Sequence, residues 1–387
     1  MYRVLVCGLA NEKDQGGIEM MVLNYYQRFN RKKIHFDFVC NSDKYKMAYS
    51  TIFKSWGSRI FYTSKRGSHP FKYYKEMDEL FKKISLNYDC IWFNTSDLAN
   101  ITYLKLAKKF NIKRRIIHSH NSKLIVLGLK GYIYKKIHYI NRKKIDKYGT
   151  DFWACSEAAS KWMFPDKVNT QLVKNAVDIN KYSFNQKKRE KVRNKYNLNN
   201  CYVIGNVGRL NFQKNQDFIL QIVNELKKTN LNFKVLLVGQ GEDKKKLLKT
   251  IQELNLEEYV LMVGQQKDMQ AFYSAFDLFI FPSRFEGLSV SLLEAQANGV
   301  PILASTNVSP KEIKINKNIC FLPLTNGKGD WAINILNIKK KYFRLNENKI
   351  KQNFLKHQYD IDVEAPKLEY KFINGFNEKE KINGNKS

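Results

Sequence analysis

Four charged side chains in the C-terminal half have types and spacings suited to holding a phosphorylated ligand. In NVGRLNFQKNQDFIL an apolar run ends near Val207, the chain turns at Gly208, and Arg209 and Lys214 stand just ahead of a helical-period segment. Two fixed cations beside exposed helix N–H groups make a diphosphate site. In PSRFEGLSVSLLEAQANGVP, seven residues separate Glu286 from Glu294. The strand-like FDLFIFPS puts Glu286 in the loop at a strand's carboxyl end, while SVSLLEAQANG reads as a helix stopped at Gly299 that carries Glu294. The two carboxylates therefore cannot share one task. Glu286 stands where the reacting end of a ligand would enter, and the N–H groups of Gly287, Leu288 and Ser289 can meet a phosphate. Glu294 can accept hydrogen bonds from a diol. Taken singly, each pair also reads as solvated surface charge; their combination in consecutive loop segments carries the assignment.

Two features of the N-terminal half could also do chemistry. HSHNS follows the strand-like RRII, so His118 and His120, two apart, share a face if the strand continues. GYIYKKIHYINRKKIDKYG has Tyr132, Ile133, Ile137 and Ile140 on one side, with Lys135, Lys136, Arg142, Lys143 and Lys144 largely elsewhere. Apolar and basic faces on one helix suit adsorption to anionic lipid. The competing reading is an ordinary helix that packs its apolar stripe on a sheet.

The elements that must position these residues come in two series. YRVLVCGL, HFDFVC, CIWFN, RRIIHSH and DFWACS alternate with amphipathic segments, as in βαβ units of a parallel sheet. The pattern pauses in the polar KNAVDINKYSFNQKKREKVRNKYNLNN, then resumes with CYVIGNVGRL, FKVLLVGQG, YVLMVGQ, FDLFIFPS, VPILAS and NICFLPL. Two doubly wound α/β domains result, expected to face each other across a cleft, with ligands at the carboxyl ends of the strands. The expected division is 1–178 for the acceptor-side domain and 179–360 for the donor-binding domain. The segment 361–387 would supply a helix returning to the first domain and then a frayed polar tail.

Composition fits this. A chain of 387 residues can bury two cores, and 43% hydrophobic with 13% aromatic residues excludes a disordered protein. The formal charge of +31 calls for anionic partners, or serves solubility alone. Between Lys105 and Lys147, fourteen Lys and Arg face a single acid, Asp146. Six scattered cysteines without a CxxC read as buried thiols of a reducing compartment. VLVCGLA followed by NEKDQGG reads as a first strand, not a signal peptide, and no run of 18 apolar residues predicts a membrane span.

The second series closely resembles the retaining, nucleotide-sugar-dependent glycosyltransferases of family four, which have the GT-B fold. The resemblance rests on VGRLNFQKN, VGQGEDKKKL, the run GQQKDMQAFYSAFDLFIFPSRFEG, and Glu286 with Glu294 as the family's E-x7-E. It extends across nearly the whole chain through GGIE, CSEAASKWMF and KNAVDINKY, the last with Ala176 where the family has glycine. The resemblance implies that Arg209 and Lys214 hold the donor diphosphate and Glu294 the ribose hydroxyls, with Glu286 at the transferred sugar. It also implies that Gly16 and Gly17 bring N–H groups to the phosphates and that a histidine approaches the donor sugar. His120, nearer the strand end, is the first choice and His118 the second. No cofactor or metal is expected: the histidines lack metal-site spacing.

The function so implied is retaining transfer of a sugar, UDP-linked, to a polyprenyl-diphosphate-linked or oligosaccharide acceptor in cell-surface polysaccharide synthesis. The protein would work in the cytoplasm, at the inner face of the membrane, with the 105–147 basic region against an anionic surface. A nucleotide-sugar 2-epimerase on the same architecture is the alternative, needing donor but no acceptor. A nucleic-acid binder is a third class, but no recognition signature accompanies the charge, and nucleic acid is not an expected partner.

Overall fold

Buried branched and aromatic runs become strands, and the amphipathic segments between them become the crossover helices. The computed structural model of the protein describes residues 1–124 and 128–375; the expected frayed tail after Gly375 lies outside them. The chain divides into two units, residues 1–175 with the segment from Asp362 onward, and residues 176–361.

In the first unit the described strands are β1 (Tyr2–Cys7), β2 (Ile34–Asn41), β3 (Ile60–Thr63), β4 (Cys90–Thr95), β5 (Arg114–Ser119), β6 (Asp151–Ala154) and β7 (Thr170–Leu172). They form one parallel sheet in the order β3-β2-β1-β4-β5-β6-β7. Its core is aromatic: Phe36, Trp92 and Trp153 are fully buried, and the ring of Phe372 from the helix Ile361–Asn374 packs edge-on against all three. Arg114 ties that helix down by donating to the carbonyls of Lys371 and Phe372.

The second unit contributes β8 (Tyr202–Val207), β9 (Phe233–Val238), β10 (Val260–Gly264), β11 (Leu278–Phe281), β12 (Ile302–Ser305) and β13 (Ile319–Leu322), parallel in the order β10-β9-β8-β11-β12-β13. In each sheet the winding direction reverses beside the first strand, between β1 and β4 and between β8 and β11. In such sheets the loops leaving the carboxyl ends of the strands diverge at that point and open a crevice.

The structure adds detail that periodicity did not show. The short edge strands β3 and β7 carry no long apolar run. The polar stretch after Asn175 is not a bare linker: it forms the helices Ile179–Tyr182 and Gln186–Lys195. Arg189 and Arg193 of the latter grip Asp277 at 2.6 and 3.0 Å. Their guanidinium groups also donate to the last carbonyls of the helix Met269–Ala275, where positive charge offsets the helix dipole.

Candidate active site

In the second unit, two loops leave the sheet on either side of the switch point and are stitched together. The loop after β8 carries Arg209 and Lys214, and the loop after β11 carries Glu286. Gln213 donates to the Phe285 carbonyl at 2.9 Å, Asn215 donates to the Pro282 carbonyl at 3.1 Å, and the Arg284 N–H donates to the Gln213 carbonyl at 2.8 Å. Two glycines leave room around the loop after β8. A Cβ on Gly239, whose φ is +143°, would lie 2.0 Å from the Gly208 carbonyl oxygen, and one on Gly208 would crowd the Lys214 stem at 3.3 Å.

Lys214 Nζ lies 2.8 Å from Glu286 Oε1, with side chains only 16% and 7% exposed, and 4.7 Å from the centre of the Phe281 ring. The sequence pattern placed these residues in one site; the structure joins them as a sequestered ion pair. Arg209 is more open and pairs with Glu242 at 3.0 Å, a carboxylate that sequence reasoning passed over inside QGED. Both cations assigned to an anionic ligand are thus paired with carboxylates.

The helix Val290–Asn298 starts beside them. Ser289 is its N-cap, its Oγ accepting the Leu292 N–H, and Gly299 closes it at φ +79°. Leu288 and Ser289 are buried. Glu294 is buried on this helix, and the Tyr273 hydroxyl donates to its Oε2 at 2.8 Å. Burial pushes the Glu294 carboxyl above its usual range, while hydrogen bonds from Tyr182 and Tyr273 pull it back. Glu286 and Glu294 therefore have different partners, the first a cation and the second phenolic hydroxyls. Tyr273 was invisible as a partner because its contact crosses between helices.

In the first unit, the loop after β1 leads to the helix Gly17–Tyr26. The Gly16 N–H does not stand open to a ligand. It donates to Glu19 Oε2 at 2.7 Å, and the other oxygen of Glu19 accepts the Ala10 N–H at 2.7 Å, so this buried carboxylate fixes the loop from within. Of the two glycine amides assigned to phosphate, that of Gly16 thus meets Glu19. Gly17, the first helical residue, has an N–H that the helix itself does not satisfy. The GGIE spacing carried the signal, since an acid three residues after the N-cap can reach back to the N-cap N–H.

At the end of β5 the two histidines part company. His118 is fully buried, its ring stacked 5.9 Å from Trp92 and edge-on to Trp153 at 6.0 Å. His120, just beyond the strand, is half-buried, and its Nε2 lies 2.8 Å from Asn94 Oδ1. Burial pushes the His120 imidazole down to about 3, so it is neutral at physiological pH.

The amphipathic segment forms the helix Gly128–Arg142. Its apolar side does not pack on the sheet: Tyr132, Ile133, Ile137 and Ile140 are 57%, 47%, 37% and 57% exposed. The inward side instead holds His138 and Asn141. His138 Nδ1 accepts the Leu98 N–H at 3.0 Å, its Nε2 meets the Trp162 carbonyl at 3.2 Å, and Asn141 donates to the Leu98 carbonyl at 2.7 Å. Among the described residues no helix is long and apolar enough to cross a membrane.

Comparisons with known proteins agree with this arrangement. Residues 188–350 match the family described as glycosyl transferases group 1. The chain is 26% identical over 381 residues to the capsular polysaccharide biosynthesis glycosyltransferase CapH of Staphylococcus aureus, covering 94% of this chain and 97% of that one. It is 25% identical over 253 residues to the UDP-Gal:alpha-D-GlcNAc-diphosphoundecaprenol alpha-1,3-galactosyltransferase of Escherichia coli, covering 57% of this chain and 63% of that one. In fold it is similar to Anabaena Alr3699/HepE, solved in complex with UDP-glucose, with a TM-score of 0.78 at 18% identity over 97% of this chain and 100% of that one.

Proposed function

We propose that the chain, whose residues 188–350 match group 1 glycosyl transferases and whose two Rossmann-like units are of the GT-B kind, moves a hexose from a UDP-sugar to a polyprenyl-diphosphate-linked or oligosaccharide acceptor with retention of configuration. The observation that carries this is the Lys214–Glu286 pair, a largely sequestered cation on a buried carboxylate at the β8/β11 switch point, beside Arg209 and a helix N-terminus. A relative whose name specifies UDP-galactose and a diphosphoundecaprenol acceptor supports the choice of substrates.

In this reading Lys214 and Arg209 take the donor diphosphate, with the N–H groups of Gly287, Leu288 and Ser289. Glu294 accepts from the ribose diol, and Glu286 faces the transferred sugar once Lys214 turns to phosphate. The anomeric carbon–oxygen bond breaks toward the diphosphate, and the acceptor oxygen attacks the same face. The acceptor's proton passes to the leaving phosphate oxygen. Cations and backbone dipoles preorganised around the departing charge lower the barrier, and no metal or cofactor is assigned a role.

The exposed apolar face of the helix Gly128–Arg142, flanked by Lys130, Lys135, Lys136 and Arg142, rests against anionic lipid in this account, at the cytoplasmic face where a lipid-linked acceptor is presented. A panel of UDP-, GDP- and ADP-sugars incubated with a polyprenyl-diphosphate-linked acceptor tests the proposal. Mass analysis should show the acceptor gaining one hexose from a UDP donor, and NMR should show the donor's anomeric configuration in the product. A donor isomerised without any acceptor would replace the proposal with epimerase chemistry.

A further inference from the structure

We propose that the pocket at the amino ends of β8, β9, β11 and β12 binds a sugar phosphate, at a site separate from the one that holds Lys214 and Glu286. The inference lies wholly within the second unit and does not depend on the transfer proposed above.

The pocket has a volume of about 790 Å³, within the range of small-molecule sites. It is lined by the chain entering four neighbouring strands: Tyr202 opens β8, and Asn232, Asp277 and Pro301 stand immediately before β9, β11 and β12. Arg209 and Glu286 instead follow the carboxyl ends of β8 and β11. The length of β8, six residues, puts about 20 Å between the two places.

The charge in this pocket is one-sided. Arg189, Arg193, Arg344 and Lys339 line it, and among the described residues around it Asp277 is the one acid. Arg189 and Arg193 already share that carboxylate. Arg344 meets carbonyls instead, those of Asn298 at 3.2 Å and of Phe276, while its guanidinium lies 4.6 Å from the centre of the Phe184 ring. Burial brings the Arg344 guanidinium down to about 9, with the Arg189 charge adding to the effect and Asp277 opposing it. It is therefore charged at neutral pH, and three guanidinium groups have one carboxylate between them. A phosphate monoester carries the negative charge that carbonyls lack and accepts several charged hydrogen bonds at once.

The rest of the lining suits hydroxyls and a sugar ring. Asn200 and Asn230 stand in the loops ahead of β8 and β9. The Asn200 carbonyl takes the Asn232 amide at 2.7 Å, while among the described residues the side-chain amides of Asn200 and Asn230 meet no protein partner. An amide both donates and accepts, as a sugar hydroxyl does. Phe343, 75% exposed, adds an apolar surface that the C–H face of a pyranose can cover. Phosphate alone would leave these groups unused, and a neutral sugar would leave the cations unanswered.

Calorimetric titration of the full chain with glucose-1-phosphate at low salt tests this, with glucose and inorganic phosphate as comparisons. Glucose-1-phosphate should bind saturably and about tenfold more tightly than either. Lys339→Glu, at an exposed position of the helix Gly327–Lys341, should weaken it by about tenfold, the scale of one lost charged hydrogen bond, and Arg344→Gln should do the same. Lys214→Ala should leave it unchanged, because Lys214 stands at the other end of the sheet. Absence of saturable binding would overturn the inference, as would binding that is lost in Lys214→Ala or undiminished in Lys339→Glu. Inorganic phosphate or glucose binding as tightly as glucose-1-phosphate would also overturn it. If Arg344→Gln does not fold, Lys339→Glu still decides the matter.

Discussion

Replacing Glu286 by glutamine should slow transfer yet tighten the binding of UDP. Glu286 neutralises Lys214 across 2.8 Å, in surroundings that leave both side chains largely out of water. A diphosphate oxygen that reaches Lys214 at a similar distance comes to about 5 Å from the carboxylate. At an effective dielectric of about 20, repulsion there is about 3 kcal/mol per unit charge. Glutamine keeps the shape and removes the charge, so after solvent and side-chain relaxation UDP should gain at least about 1.4 kcal/mol, a tenfold lower Kd. Transfer should fall by about 10²- to 10³-fold, because the group facing the sugar loses its charge. Calorimetric titration of UDP into both proteins, beside single-turnover transfer, measures the two effects. UDP binding that is unchanged or weaker in Glu286→Gln would refute the reasoning, since Lys214 would not then be exchanging a carboxylate for a phosphate.

Three further outcomes follow from other parts of the molecule. Glu294→Ala should chiefly weaken donor binding, by about 10- to 150-fold for about 1.5–3 kcal/mol of charged hydrogen bonding, with turnover at saturating donor changed far less; KM and kcat for the UDP-sugar check this. Burial pushes the His138 imidazole from 6.5 down to about 4, with Arg142 adding to the effect and the Trp162 carbonyl opposing it. As pH falls below 6.5 the unfolded chain takes up this proton first, so a contribution of about 3 kcal/mol is complete above 6.5 and is lost progressively toward 4. Melting temperatures across that range should fall less steeply in His138→Gln. Finally, Ile133→Ser with Ile140→Ser should reduce binding to phosphatidylglycerol vesicles by about a hundredfold, from about 3 kcal/mol of lost apolar burial, without altering the melting temperature; vesicle sedimentation at low salt reads it.

How much of this could be read from sequence depends on whether the signal was local. The strands at the centre of each sheet were legible because burial on both faces demands unbroken apolar runs, as in the buried Val4–Cys7 of β1 and Leu278–Phe281 of β11. The edge strands β3 and β7 pair on one side only and have three or four residues, too few for a period. Glu286 and Lys214 were legible as loop residues at strand ends, yet their mutual contact spans 72 positions and needed the sheet order to be seen. Tyr273, Asn94 and Glu242 escaped for the same reason, each being an ordinary residue made specific by a distant partner. The helix Gly128–Arg142 shows the opposite case. Its pattern was plain, but the pattern alone could not say whether the apolar side faced the sheet or solvent, and exposure of Ile133 and Ile140 decided it.

The central claim, that Lys214 and Arg209 stabilise a departing diphosphate, is tested most directly by the single-turnover rate of Lys214→Ala and of Arg209→Ala on a UDP-sugar with acceptor. Each substitution should lower the rate by about 10²- to 10³-fold, the cost of removing one preorganised donor from developing negative charge. Near-wild-type rates in both proteins, with folding intact, would contradict the account.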